Sequence, residues 1–205
     1  MKLHQSKRAP NPRRVRWFMA EKGIEDIEIV EVDILGGDHR QPGYLGMAGL
    51  PHVPALELAD GTGITESIAI CRYLEHLYPE PSMFGTTPLE TAIIEMWTRR
   101  AEMMVATPLM LAVRHGHPAL AALEKQVPEI ADAQRATAER GLTVVDQRLG
   151  QSAFIAADRI SMADIVAFTA IDFARMVKFR PAEELHHVAR WMDAMRTRPA
   201  ASAGL

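Results

Sequence analysis

Apolar and polar residues follow two different periods along the chain. Ile27 to Val32 alternates with a period of two, which is typical of a half-buried strand. Before this segment, Asn11 predicts the N-cap of a helix because Pro12 suits the first helical position, and Gly23 predicts its end. Together with a short strand at the N-terminus, this order indicates a βαβ unit.

A second group of short elements follows a segment rich in Gly and Pro. Ala55 to Leu58 predicts a short apolar strand, and the turn at Asp60-Gly61 leads to a second strand around Gly63 to Thr65. Apolar residues then recur at helical spacing until a proline ends the helix at Pro79. We therefore predict a first domain that consists of βαβ followed by ββα.

The second half of the chain has a helical period throughout. Residues 79 to 88 hold three prolines and a glycine, the composition of a linker. The pattern beyond predicts helices over 88–114, 128–149, 161–177 and 188–195. We expect an α/β domain over 1–78, a linker over 79–87 and an all-helical domain over 88–205.

Ser161 and Asp164 have the spacing of a capping box at the start of one of these helices. In such a box, each side chain accepts a hydrogen bond from the backbone of the other residue. We assign this pair to folding rather than to chemistry.

Composition narrows the classes of function. The 23 basic and 26 acidic residues are interspersed and the net charge is −3, so we expect no nucleic-acid partner. No apolar run reaches the ~18 residues of a membrane span, and none near the N-terminus has the length of a signal peptide. We therefore expect a cytoplasmic protein that does not interact with membranes. The single cysteine, Cys71, excludes CxxC redox chemistry and an internal disulfide, and the histidines lack zinc-ligand spacing.

A resemblance to a known family is carried by five segments: residues 6–23, 52–58, 63–75, 160–168 and 191–199. In order and spacing, the chain resembles the cytosolic glutathione S-transferases, of the bacterial, serine- or asparagine-dependent type rather than the tyrosine type. This resemblance implies a thioredoxin-like first domain, an all-helical second domain and glutathione as co-substrate without a metal. It also implies a homodimer that detoxifies small hydrophobic electrophiles or peroxides.

The HVPAL sequence supplies one predicted part of the glutathione site. The resemblance implies a cis bond between Val53 and Pro54, with the backbone of Val53 pairing to the cysteine of glutathione as an added strand does. For an isolated proline, a trans bond that only begins a strand is the alternative interpretation.

The other predicted binding residues recognise the two ends of the tripeptide. Glu66 and Ser67 stand at a helix N-terminus, which attracts an anion. The resemblance implies that Ser67 binds the γ-glutamyl carboxylate and that Glu66 binds the ammonium. It assigns His39 and His52 to the glycine carboxylate. Helix capping by the first pair and ordinary loop positions for the two histidines are the alternatives.

The residue that activates the thiol departs from the family pattern. His4 stands where relatives often have tyrosine, and Ala9 stands at the place of the usual serine. Asn11 matches an asparagine that some members place near the sulfur, and its amide could donate to the thiolate. Ser6 is the reserve candidate, and N-capping is the alternative role of Asn11.

These departures leave three functions open. The first is conjugation of the glutathione thiolate to a hydrophobic electrophile. The second is a glutathione-dependent reduction of peroxides or disulfides, favoured by Asn11 and the missing serine. The third is a glutathione-binding protein without catalysis, which Ala9 and His4 keep open.

Overall fold

The alternating segments near the N-terminus form one mixed four-stranded sheet. Its order is β2-β1-β3-β4, with β1 parallel to β2 and antiparallel to β3, and β4 antiparallel to β3. Leu3 pairs with Ile29 on one side and with the buried Leu56 on the other. The strands are β1 (Lys2–Gln5), β2 (Glu28–Glu31), β3 (Ala55–Glu57) and β4 (Gly63–Thr65).

Three helices complete this part of the chain: α1 (Pro10–Lys22), α2 (Pro42–Ala48) and α3 (Ser67–Leu77). Helices α1 and α3 pack together, and α2 lies against β4. The 3-10 turn Asp38–Arg40 precedes α2. The predicted βαβ-ββα order, which is thioredoxin-like, is confirmed. The predicted stop of α1 also holds, because Gly23 adopts a left-handed conformation with φ 65°.

The computed structural model describes residues 1–7 and 9–205 and divides them into two units. The first unit is Met1–Pro81 with Ser202–Leu205, and the second is Ser82–Ala201. Within the described ranges, no helix combines the length and the apolar character needed to cross a membrane.

The second unit is helical, as predicted. Its helix α7 is buried along its first ten residues and forms the centre of the unit. Short 3-10 turns follow α5 and α7 and end the unit. The helices are α4 (Pro88–Arg100), α5 (Thr107–Gly116), α6 (Pro128–Leu149), α7 (Met162–Phe173) and α8 (His186–Arg196).

The helix predicted over 88–114 differs from the structure in its middle. A π-helical turn, Ala101–Ala106, separates α4 from α5. Pro108 has no N–H to donate to the carbonyl of Met104, so the regular hydrogen-bond ladder is interrupted beside this turn. Gly141 of α6 meets the turn: a Cβ there would lie 2.2 Å from the Met104 carbonyl oxygen.

The predicted capping box at the start of α7 is present and forms part of a larger network. The fully buried Asp164 carboxylate accepts from the backbone N–H of Ser161 at 3.0 Å and from its hydroxyl at 2.8 Å. Its other oxygen accepts from the N–H of Ile155 at 2.9 Å and from Nε1 of Trp191 at 3.0 Å. The carboxylate therefore satisfies four donors.

Candidate functional site

Val53 presents unbonded backbone two residues before the start of β3. The Val53–Pro54 peptide is cis, in agreement with the resemblance. In residues 1–7 and 9–205, neither the N–H nor the C=O of Val53 forms a hydrogen bond. Val53 is half-buried and Pro54 is buried. Because unpaired strand backbone is a template for a further strand, an extended peptide can add here.

Glu66 occupies a backbone conformation that side chains rarely adopt. It is the N-cap residue of α3 with φ 66° and ψ 116°, and its side chain forms no capping hydrogen bond. Such conformations cost roughly 1–3 kcal/mol and cluster at ligand sites. Glu66 is exposed, so its carboxylate is available to a cation. The interpretation that Glu66 serves only to cap the helix through its side chain is therefore wrong.

Ser67 is the first residue of α3 and is buried. Its hydroxyl accepts from Nη1 of Arg14, a buried residue of α1, at 3.3 Å. The first N–H groups of a helix have no partner within it, and they attract an anion together with the helix dipole. The start of α3 thus combines a guanidinium, a hydroxyl and free amides. Sequence reasoning missed Arg14, because nothing in the pattern distinguishes it from the neighbouring basic residues of the same helix.

The start of α1 differs from the prediction. The helix begins at Pro10 with Ala9 as its N-cap, so Asn11 is its second residue and not its cap. The physical reason is that Pro10 also has the fixed φ of a first helical residue, which moves the start two residues towards the N-terminus. Pro10 and Pro12 have no N–H, so Asn11 is the only one of the first three helical residues with a backbone N–H. Its side chain, half-exposed, is not used for capping.

Ser6 lies between β1 and α1. Its carbonyl accepts from the N–H of Ala9 at 3.2 Å, and its side chain is half-exposed. Ser6 and Asn11 thus flank the start of α1 from both sides, and the chain between them includes Ala9, which has no hydroxyl.

The two histidines differ in environment. His39 lies in the 3-10 turn before α2 and is only 5% exposed, whereas His52 is exposed. Within the described chain, Nδ1 of His39 is buried and has no hydrogen-bond partner. Burial lowers the pKa of His39, and the charges of Arg40 and His52 lower it further, while Asp38 opposes the shift. His39 is therefore biased towards its neutral form.

Three contacts that the sequence did not predict join His4, Glu57, Tyr44 and His52. His4 of β1 shares a hydrogen bond of 2.8 Å with Glu57 of β3, and this bond lowers the pKa of Glu57. The His4 ring meets the ring of Tyr44 edge-on, with 5.9 Å between centroids and 80° between planes. The Tyr44 hydroxyl donates to the carbonyl of His52. A tyrosine among glycines and prolines is the only sequence signal that could have indicated this contact.

Cys71 takes no part in the candidate site. It is fully buried in α3, and burial raises its pKa, so it is not a nucleophile. Among the residues that the structure describes, no group of three or more His, Cys, Asp or Glu side chains could hold a metal ion.

Comparisons with known proteins agree with this geometry. The family profile "Glutathione S-transferase, N-terminal domain" matches residues 9–77, and "Glutathione S-transferase, C-terminal domain" matches residues 100–199. Glutathione S-transferase 2 of Saccharomyces cerevisiae is 34% identical over 97% of this chain and 87% of its own length. Maleylacetoacetate isomerase of Pseudomonas aeruginosa is 32% identical over 80% of this chain and 77% of its own length.

The fold of the whole chain also matches a solved structure. A glutathione S-transferase domain-containing protein of Marinobacter aquaeolei superposes with a TM-score of 0.92 at 33% identity. The match covers 98% of this chain and 100% of that one. Both units of the chain are therefore found together in a known structure.

Proposed function

The chain belongs to the glutathione S-transferase family and is a glutathione transferase, and from this premise we propose that it joins the glutathione thiolate to a hydrophobic electrophile. The single observation that carries the proposed site is the unbonded backbone of Val53 in the same unit as the α3 N-terminus. An extended tripeptide with a carboxylate and an ammonium at one end matches these two features.

In the proposed binding mode, the cysteine of glutathione pairs with the N–H and C=O of Val53. The γ-glutamyl carboxylate binds Ser67 and the first amides of α3, and the neighbouring ammonium binds Glu66. The exposed carboxylate and the absence of a capping bond at Glu66 support this role. The glycine carboxylate binds His39 and His52 at the other end.

Thiol activation is assigned to Asn11. A thiol with a pKa of ~8.5 is mostly protonated near neutrality, and lowering this value by ~2 units requires about 2.7 kcal/mol. A hydrogen bond to a charged group contributes roughly 1.5–3 kcal/mol and a helix N-terminus ~0.3–1 kcal/mol. Asn11 combines a side-chain amide with the single backbone N–H of the first three helical positions. Ser6 is the second candidate.

Self-association through α4 is also proposed. Leu89 and Met96 of α4 are 72% and 40% exposed and lie about two helical turns apart, so they share one helical face. A second copy of the chain would remove this apolar stripe from water. The homodimer is expected to act in the cytoplasm in detoxification. Sedimentation velocity of the wild type and of Met96→Glu tests the proposed self-association. We expect the wild type to be dimeric and the variant to be monomeric.

Reduction of organic peroxides is the second candidate function. It is favoured by the start of α1, where Ala9 replaces a hydroxyl and Asn11 is the nearest polar helix residue. An amide that stabilises a thiolate serves attack on a peroxide oxygen as well as on carbon. The maleylacetoacetate isomerase among the relatives adds isomerisation of that compound to the reactions worth assaying.

Parallel assays separate these reactions. Conjugation of chlorodinitrobenzene, reduction of cumene hydroperoxide and isomerisation of maleylacetoacetate are measured with the same enzyme. Calorimetry with glutathione tests the site itself, using Glu66→Gln as the variant and Glu25→Gln as an exposed control in the same unit. We expect weaker binding only in Glu66→Gln. Absence of heat in the wild type, or equal affinity in all three proteins, contradicts the proposed binding mode.

A further inference from the structure

Tyr44 fixes the residue that precedes the proposed peptide-binding backbone. Its hydroxyl donates to the carbonyl of His52, and the N–H of His52 donates to the carbonyl of Leu50 at 2.9 Å. Both backbone polar groups of His52 are thus held from within the protein. The next residue, Val53, has neither of its own groups bonded among the described residues. A residue whose backbone is held by hydrogen bonds, His52, therefore directly precedes one whose backbone is unbonded, Val53.

The position of Tyr44 is itself determined by two contacts of its surroundings. Helix α2 lies so close to β4 that a Cβ on Gly63 would be 2.1 Å from the carbonyl oxygen of Met47. The His4 ring, fixed by its hydrogen bond to Glu57, meets the Tyr44 ring edge-on. The close approach of α2 to β4 fixes the position of the helix that carries Tyr44. The contact with His4 fixes the orientation of the Tyr44 ring.

The Tyr44 hydroxyl keeps its proton over the range in which such enzymes are assayed. Partial burial raises the pKa of Tyr44 to about 12. A protonated phenol can donate to a carbonyl, whereas a phenolate cannot. The bond to His52 is therefore constant with pH near neutrality.

We infer that Tyr44 is a positioning residue for glutathione: its hydroxyl holds the His52 carbonyl and so presents the backbone of Val53 in the conformation that the tripeptide pairs with. The inference rests on the proposed function, because it assumes that glutathione adds at Val53. Preorganised backbone lowers the ordering cost of binding. Loss of the hydroxyl thus weakens ground-state and transition-state binding equally, without changing the chemical step.

The test is Tyr44→Phe, which keeps the ring against His4 and removes only the hydroxyl. We expect KM for glutathione to rise about two- to tenfold, the range of one neutral hydrogen bond, while kcat at saturating glutathione stays unchanged. Steady-state kinetics with chlorodinitrobenzene at fixed concentration give both constants. A role in stability alone would lower kcat through the active fraction and leave KM unchanged.

Tyr78→Phe is the matched control. The Tyr78 hydroxyl lies 2.8 Å from the carboxylate oxygens of Asp26 in the same unit, so this variant also loses one tyrosine hydrogen bond. We expect its KM to equal that of the wild type. An unchanged KM in Tyr44→Phe, or an equal rise in both variants, overturns the positioning role while leaving the proposed function intact. A wild type that shows no saturation by glutathione overturns the proposed function, and this inference with it.

Discussion

The indole Nε1 of Trp191 donates to the Asp164 carboxylate across 3.0 Å, which ties α8 to the start of α7. Because four donors share this buried carboxylate, Asp164→Ala leaves all of them without it. We expect the free energy of unfolding to fall by at least about 3 kcal/mol, and by ~1–3 kcal/mol in Trp191→Phe.

Urea unfolding followed by circular dichroism measures both values. Asp193→Ala is the control, since its carboxylate is 77% exposed and pairs with Arg196 at the surface. An exposed pair of this kind contributes at most ~1 kcal/mol. If the Asp164 and Asp193 variants lose the same stability, the buried network does not hold the helical unit together.

Gly141 reverses the usual effect of a glycine-to-alanine change in a helix. Alanine normally stabilises a helix by roughly 0.5–1 kcal/mol relative to glycine. At this position a Cβ would lie 2.2 Å from the Met104 carbonyl oxygen and 2.8 Å from its carbon, both backbone atoms. We therefore expect Gly141→Ala to destabilise the protein by ~1–3 kcal/mol.

Thermal unfolding compares this variant with Gly46→Ala. Gly46 lies in α2, and nothing lies within 4 Å of a Cβ built there. We expect the melting temperature to rise in Gly46→Ala and to fall in Gly141→Ala. A rise in both would show that α6 and the π-helical turn move apart at little cost.

Asn11→Ala removes the side-chain donor at the start of α1 but leaves the backbone N–H. We expect the pKa of the bound glutathione thiol to rise by ~1 unit, so that kcat/KM at pH 6.5 falls roughly tenfold. At a pH above both pKa values the difference should disappear. Thiolate absorbance at 240 nm across a pH series measures the shift directly. Ser6→Ala is the comparison, and a larger shift in that variant would transfer the role to Ser6.

His39 makes stability depend on pH. Its pKa in the folded protein lies below the unfolded value, so the unfolded chain binds more protons as the pH falls through ~6.5. Stability therefore falls on acidification and is regained as the pH rises. We expect the melting temperature to drop less between pH 7.5 and 5.5 in His39→Gln than in the wild type. His76→Gln, at an exposed position of α3, is the control and should behave like the wild type.

Long elements and their order could be predicted from the sequence because periodicity determines them. The span of α6, the Gly23 stop of α1 and the capping box at Ser161 all lie where the pattern indicated. The start of α1 was predicted two residues too late: Pro10 and Pro12 both suit a first helical position, and the N-cap preference of Asn11 wrongly favoured Pro12. The π-helical turn depends on packing against Gly141, which is distant in sequence.

Only those parts of the candidate site that lie within short sequence motifs could be predicted. Val53 and Glu66 belong to short segments with a recognisable order of residues, whereas the contacts of Arg14 with Ser67 and of Tyr44 with His52 join different elements. Such contacts depend on how helices are placed on the sheet. The positive φ of Glu66 likewise has no sequence signal, because glutamate rarely adopts such a backbone conformation.

The enclosure of Cys71 within α3 has a practical consequence for studying the reaction. Because the Cys71 thiol is buried and burial raises its pKa, we expect it not to react with Ellman's reagent or with oxidised glutathione. Colorimetric thiol counts on the native enzyme therefore register the tripeptide alone. We therefore expect no glutathionylation of Cys71 in the native enzyme.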